Sequence, residues 1–344
     1  MDARPLLAGG MVLAVAAVAL AVSRAQDEPS AQPMSATARG KVDRRSFPKD
    51  YRALVYTPAT LNRSRPAPLV VMLHGCGTTA EQMETAAELD QQAERDHFVV
   101  MYPDAAAHRG RCWRAATDTT RRSRDPAAIA GMVRDALAGR APAIDPARVY
   151  VVGMSSGASM TGVLGATHPD LFAAIAIDAG CAYGTNPCGG RTPSERSVRL
   201  ARAALATMGA RARVMPVLAL QGDRDDVVPG HSRQVLEQWR MTDNLVASGR
   251  TAGPIAAVPT RTREVRAHGK YRSTVQQYDT ASGCRLLERW TIHGMGHFWP
   301  GGTNDSDYGR FTDVRGPDGG DVIWSFFRQF RNADQPSACA RARE

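Results

Sequence analysis

A serine in a glycine turn, a set of acidic residues downstream and a histidine beyond them form the order that nucleophilic acyl chemistry needs. The serine lies in Gly153-Met154-Ser155-Ser156-Gly157. An apolar run, Arg148–Val152, precedes it and a helix-like stretch, Ala158–Thr167, follows. Strand, G-x-S-x-G and helix together read as a nucleophile elbow, which lifts the hydroxyl of Ser155 out at the top of a sheet. A serine hydroxyl attacks only if a base takes its proton, and a third group must hold that base. Val217–Gly222 reads as a strand running into Asp223-Arg224-Asp225-Asp226, where a carboxylate reaches a neighbouring loop. Trp290–Ile292 runs into His293-Gly294-Met295-Gly296-His297. Glycines around His297 permit a tight loop, so His297 is preferred as base to His293, which sits nearer the strand.

The chemistry also needs donors for an oxyanion. His74-Gly75-Cys76-Gly77 follows the strand-like Leu69–Leu73, where this kind of fold supplies one backbone N–H. The residue after the nucleophile, Ser156, supplies the other. Cys76 is not read as a nucleophile, because Ser155 holds the elbow. Asp178 also follows a strand, but lies before the region where the acid is expected, and is read as a hydrogen-bond partner of a loop. Asp223 and Asp226 are read as turn or loop-holding residues, His168 as a helix-end residue, and His97, His108, His231 and His268 as structural or exposed.

The elements that position these groups alternate. Strand-like segments are Tyr51–Tyr56, Leu69–Leu73, Phe98–Tyr102, Arg148–Val152, Phe172–Ile177, Val214–Leu220 and Leu287–Ile292. Helix-like segments are Ala80–Asp96, Pro126–Ala138, Ala158–Thr167 and Asp321–Phe330. Such alternation predicts an α/β fold, with a mostly parallel sheet covered by helices on both faces and function at the carboxyl ends of its strands. Cys181–Arg196 reads as a loop over the sheet and Ala247–Pro259 as a surface loop.

The chain has 344 residues, 43% of them hydrophobic, enough for a large core. Its net charge of +9 is carried almost wholly by arginine. The arginines are scattered and no nucleic-acid signature accompanies them, so no nucleic-acid partner is expected. Residues 1–25 read as an export signal: Arg4, an apolar stretch from Leu6 to Val22, and small residues around Ser23-Arg24-Ala25. The alternative is an uncleaved membrane anchor; after cleavage no stable membrane partner is expected. Residues 26–46 read as a flexible spacer, 47–332 as a single catalytic domain and 333–344 as a polar tail. In an exported chain the six cysteines suggest disulfides, and no C-x-x-C spacing points to a metal. The pairing of Cys181, Cys188, Cys284 and Cys339 does not follow from spacing, and composition does not fix the oligomeric state.

His74-Gly75-Cys76, Gly153–Met160, Gln221–Pro229 and Gly294–His297, in this order, resemble the extracellular polyhydroxybutyrate depolymerase family of serine esterases. Feruloyl and acetylxylan esterases are relatives of that family. The resemblance runs from about Tyr51 to Phe330. It implies a single-domain α/β-hydrolase fold and ester hydrolysis through an acyl-enzyme, with no metal or organic cofactor. It also implies Asp225 as acid, His297 as base, Cys76 and Ser156 as oxyanion donors, and a Cys76–Cys112 disulfide. Gln221 departs from a histidine common in the family at that position. No polymer-binding module follows Phe330, which favours soluble esters or oligomers over crystalline polyester. Trp113, Phe298 and Trp299 are expected to line an ester-binding cleft. The enzymatic alternative is a feruloyl or acetylxylan esterase, and the non-enzymatic one is a hydrolase-like binding protein.

Overall fold

The apolar β-branched residues before Ser155 form the centre of a long strand, β5 (Ile144–Met154), with its Val149–Val152 segment fully buried. In this computed structural model the described residues are 40–332, except 106–109, 140–141, 186–193, 281–282 and 306. On one side of β5 lie β3 (Ala67–Leu73) and β4 (Val99–Asp104). On the other lie β6 (Ala174–Asp178), β7 (Val217–Gly222) and β10 (Arg285–Ile292). All neighbouring pairs in this run are parallel. Antiparallel strands extend both edges: β1 (Lys41–Phe47) and β2 (Tyr51–Thr57) beyond β4, and β9 (Ser273–Asp279) and β8 (Arg261–Val265) beyond β10. Parallel pairing requires crossovers, and helices provide them. The described residues form one compact unit with the architecture of an α/β-hydrolase.

The helices are α1 (Ala80–Ala87), α2 (Leu89–Asp96), α3 (Arg124–Ala138), α4 (Ser156–Thr167), α5 (Ser194–Met208), α6 (His231–Ser248) and α7 (Gly319–Phe327). Buried almost throughout, α4 packs on β5 and β6 and touches α3 and α5. α7 fastens the opposite face through aromatic contacts: Trp324 stacks on Phe98 at 4.4 Å, and Phe327 on Tyr150 at 4.9 Å. A small parallel pair, β11 (Trp299–Pro300) and β12 (Thr312–Asp313), ties the segment after β10 to the approach to α7.

Several expectations need correction. The predicted spacer extended to Ser46, but β1 begins at Lys41; its charged residues suit an edge strand with one side in water. The predicted helix Ala80–Asp96 is two helices. Glu88 turns left-handed at φ 54°, and the freed Ala86 carbonyl accepts the Thr303 N–H at 3.1 Å. The predicted loop Cys181–Arg196 ends inside α5, which begins at Ser194. The export signal, the rest of the spacer through residue 39, the polar tail, His108, Cys188 and Cys339 lie outside the described residues.

Candidate active site

Ser155 links β5 to α4 with φ 57° and ψ −117°, in a region that costs a non-glycine residue about 1–3 kcal/mol. Two close approaches explain its flanking glycines. A Cβ on Gly153 would lie 2.4 Å from the Gly157 backbone, and one on Gly157 would lie 2.3 Å from the Leu73 carbonyl. The turn is held from β6, whose Asp178 carbonyl accepts the Ser155 N–H at 3.0 Å. Ser156 opens α4, so its N–H has no acceptor within the helix, and the helix dipole favours negative charge there.

The downstream acid and base meet. His297 Nδ1 lies 3.0 Å from Asp225 Oδ2. The Asp225 side chain is fully buried and also accepts from Val227 N at 3.0 Å, Val228 N at 2.8 Å and Gln221 Nε2 at 3.2 Å. Burial opposes the charge on Asp225, but the His297 hydrogen bond, the Val228 amide and the Gln221 amide outweigh it. The carboxyl is held below its ordinary range. Gln221, the departure from the family pattern, thus supports the acid directly. Nε2 of His297 has no bonded partner among the described residues. The two parent strands, β7 and β10, are neighbours, and β6 alone separates β7 from β5.

The loop after β3 has its own fastening. His74 Nε2 accepts the Ala105 N–H at 3.0 Å, so the ring proton sits on Nδ1 and is donated to the Gly75 carbonyl at 2.7 Å. Thr78 Oγ1 donates to the same carbonyl at 2.8 Å. In a trans peptide the N–H points opposite the carbonyl, so these bonds turn the Cys76 N–H the other way. Gly75 lies beside Ser155: a Cβ on it would be 3.4 Å from Ser155 Cβ. Among the described residues, the Cys76 N–H has no acceptor. The implied disulfide Cys76–Cys112 is present, with the Cα atoms 4.3 Å apart, and Cys181 and Cys284 are disulfide-bonded as well.

A cavity of about 220 Å³ opens at Ser155 and Ser156, walled in part by Trp113, Ala115, Tyr183 and Val228. Trp113 is part of this wall, and its indole N–H donates to the His74 carbonyl at 3.1 Å. Phe298 is half-buried against Gly296 and does not wall this cavity. Trp299 is corrected outright: it is fully buried and packs on Gly319 at the start of α7, where no substrate reaches it. Asp178 bonds the elbow loop as read from the sequence, but through its backbone carbonyl; among the described residues neither carboxylate oxygen has a hydrogen-bond partner. Burial, followed by the charge of Asp225, pushes the Asp178 carboxyl well above its ordinary range. Tyr183 and Val228 were not foreseen; each comes from a loop whose position is set only by the folded chain.

The comparisons agree with this architecture. Residues 50–256 match the family described as Esterase PHB depolymerase. The chain belongs to this family of polyhydroxybutyrate depolymerase esterases, which are carboxylic ester hydrolases. It is 32% identical over 247 residues to the poly(3-hydroxyalkanoate) depolymerase C of Paucimonas lemoignei, covering 68% of this chain and 55% of that one. It is 29% identical over 279 residues to an acetylxylan esterase of Coprinopsis cinerea, covering 74% and 68%. A feruloyl esterase B of Thermothelomyces thermophilus is 33% identical over 140 residues, covering 40% and 46%. The chain thus spans about half the length of the depolymerase and of the feruloyl esterase. The solved acetyl xylan esterase from Aspergillus awamori shares the fold, with TM-score 0.62 and 22% identity, covering 84% of this chain and 99% of that one.

Proposed function

We propose that the protein is an exported serine esterase acting on polyhydroxybutyrate-type polyesters or their oligomers. The observation that carries the reading is the strained Ser155 elbow, set at the same carboxyl end of the parallel strands as a buried Asp225 bonded to His297 Nδ1. Ser155 Oγ attacks the ester carbonyl while its proton passes to His297 Nε2. Asp225 fixes the tautomer and stabilises the imidazolium. The N–H groups of Cys76 and Ser156 receive the oxyanion. On collapse the ester C–O bond breaks, and the departing alkoxide takes the proton from His297. Water then repeats the sequence on the acyl-enzyme and releases the acid and Ser155.

The substrate reading is supported by the depolymerase among the relatives and by the size of the cavity at Ser155. A space of about 220 Å³ suits a short hydroxyacyl unit. Export is supported by the disulfides, which persist in oxidising compartments. A feruloyl or acetylxylan esterase is the second reading, favoured by the relatives of those names. Hydrolysis of 3-hydroxybutyrate oligomers, amorphous polyhydroxybutyrate, acetylated xylan and methyl ferulate separates the two. The oligomers are expected to turn over fastest, and a preference for methyl ferulate or acetylated xylan would overturn the substrate reading. Ser155→Ala is expected to lose at least about three orders of magnitude in turnover on every ester. Full activity in that variant would remove the serine mechanism.

A further inference from the structure

A second cavity, of about 800 Å³, lies between α6 and the β9–β10 edge of the sheet, under the segment Ala257–Pro259. Pro229 and Gly230 wall it, whereas Val228, one residue earlier, walls the cavity at Ser155. The Asp225 loop therefore stands between the two spaces.

The charges of this second cavity do not balance. Three arginines face it, Arg233, Arg240 and Arg289, with one carboxylate, Glu237. Arg240 occupies Glu237 fully, through Nε at 2.9 Å and Nη2 at 2.8 Å, one bond to each oxygen. Arg289 is half-buried, and its only acceptor among the described residues is the neutral Gln276 Oε1, at 3.0 Å from Nε and 2.6 Å from Nη2. Burial works against the guanidinium charge of Arg289; Tyr278 offsets part of this, and Arg233 adds to it. Among the described residues, neither Arg233 nor Arg289 has an ion-pair partner. A half-buried cation without a counter-charge is costly, and an anion in the cavity relieves that cost.

Two polar groups wait beside these cations. Gln234 is 8% exposed and walls the cavity, yet among the described residues its amide nitrogen and oxygen have no hydrogen-bond partner. The His231 ring lies close enough to feel that amide, but hydrogen-bond geometry is not met. Tyr278 presents a hydroxyl with no partner among the described residues. The lining also has apolar members: Leu236, buried on α6, and Val258, 69% exposed. Guanidinium forks suit a planar carboxylate, and the Leu236 and Val258 side chains suit a hydrocarbon body.

We propose that this cavity is a binding site for an organic carboxylate with an apolar body, distinct from the cavity at Ser155. Arg289 and Arg233 hold the carboxylate, Gln234 and Tyr278 supply further hydrogen bonds, and Leu236 and Val258 cover the hydrocarbon. The test is calorimetric titration of the whole protein with sodium octanoate and with octanamide, its uncharged counterpart. Octanoate is expected to bind saturably and octanamide roughly tenfold more weakly or less. Arg289→Gln and Arg233→Gln are each expected to weaken octanoate roughly tenfold. Arg233 is exposed on α6, so its variant keeps the test decisive if Arg289→Gln fails to fold. Equal binding of octanamide, unchanged octanoate binding in folded Arg233→Gln, or no saturable heat with octanoate would each overturn the proposal.

Discussion

The loops after β7 and β10 carry two histidine–carboxylate pairs of nearly the same length, and they differ in everything around them. His293 Nδ1 lies 2.8 Å from Asp223 Oδ2, and His297 Nδ1 lies 3.0 Å from Asp225 Oδ2. Distance therefore does not choose the base. The His293 ring is used at both nitrogens, because Thr274 Oγ1 takes Nε2 at 2.7 Å. Its carboxylate is 39% exposed at the side chain, against none for Asp225. His297 keeps Nε2 free while Asp225 holds the far nitrogen in a dry setting. What sets the proposed catalytic pair apart from a loop fastening is the unused nitrogen on the histidine and the burial of the acid behind it.

The sharpest way to break this contrast is to remove each imidazole. His297→Ala is expected to lower turnover by roughly four orders of magnitude or more. His293→Ala loses a half-exposed pair worth about 0–1 kcal/mol of stability and leaves turnover within about tenfold of the parent. Steady-state hydrolysis of a 4-nitrophenyl ester, with thermal melts alongside, measures both. Reversed outcomes would make His293 the base.

The carboxylates test the same contrast at smaller amplitude. An asparagine at 225 offers an amide to His297 Nδ1 and shifts the ring proton to Nε2, the nitrogen that accepts in the proposed mechanism. Asp225→Asn is expected to cost roughly two to four orders of magnitude in turnover. Asp223→Asn should cost little, since Asp223 serves the His293 ring and the Gly294 N–H. Similar losses in the two variants would show that burial of the acid does not matter here.

Legibility in the sequence followed how locally each feature is encoded. The Ser155 elbow is written within five residues, because only glycine tolerates the backbone approaches at 153 and 157. The strands of the parallel core are legible as apolar runs. α6 was not, because its buried face is polar: Gln238 bonds both the N–H and the carbonyl of Tyr183, Asp243 takes the Met215 N–H, and Asn244 bonds Ile255. Periodicity that counts apolar residues does not see such a face. The antiparallel β8 and β9 are likewise rich in Arg, Thr and Gln. Trp299 was misplaced because proximity to His297 in sequence says nothing about which side of the loop a ring takes. Neither cavity was legible, since their walls come from segments far apart in the chain.

Asp178 and Asp225 extend the comparison to one that burial settles the other way. Asp225 is buried with donors, and its carboxyl titrates below its ordinary value; Asp178 is buried without any and titrates well above it. An aspartate in the unfolded chain titrates near about 3.9. For Asp225 the folded value is lower, so its stabilisation is present above about 3.9 and is lost as pH falls through the folded value. For Asp178 the folded value is higher, so stability is fullest below about 3.9 and is lost as pH rises through the folded value. Asparagine mimics the protonated carboxyl, the form that burial favours at Asp178. Asp178→Asn is therefore expected to raise the urea midpoint at neutral pH, with the gain closing as pH falls below about 4, and to leave turnover near that of the parent. Urea titrations across that pH range measure it. A variant less stable than the parent at neutral pH would mean that Asp178 is ionised in the folded protein, and that the two carboxylates share their charge.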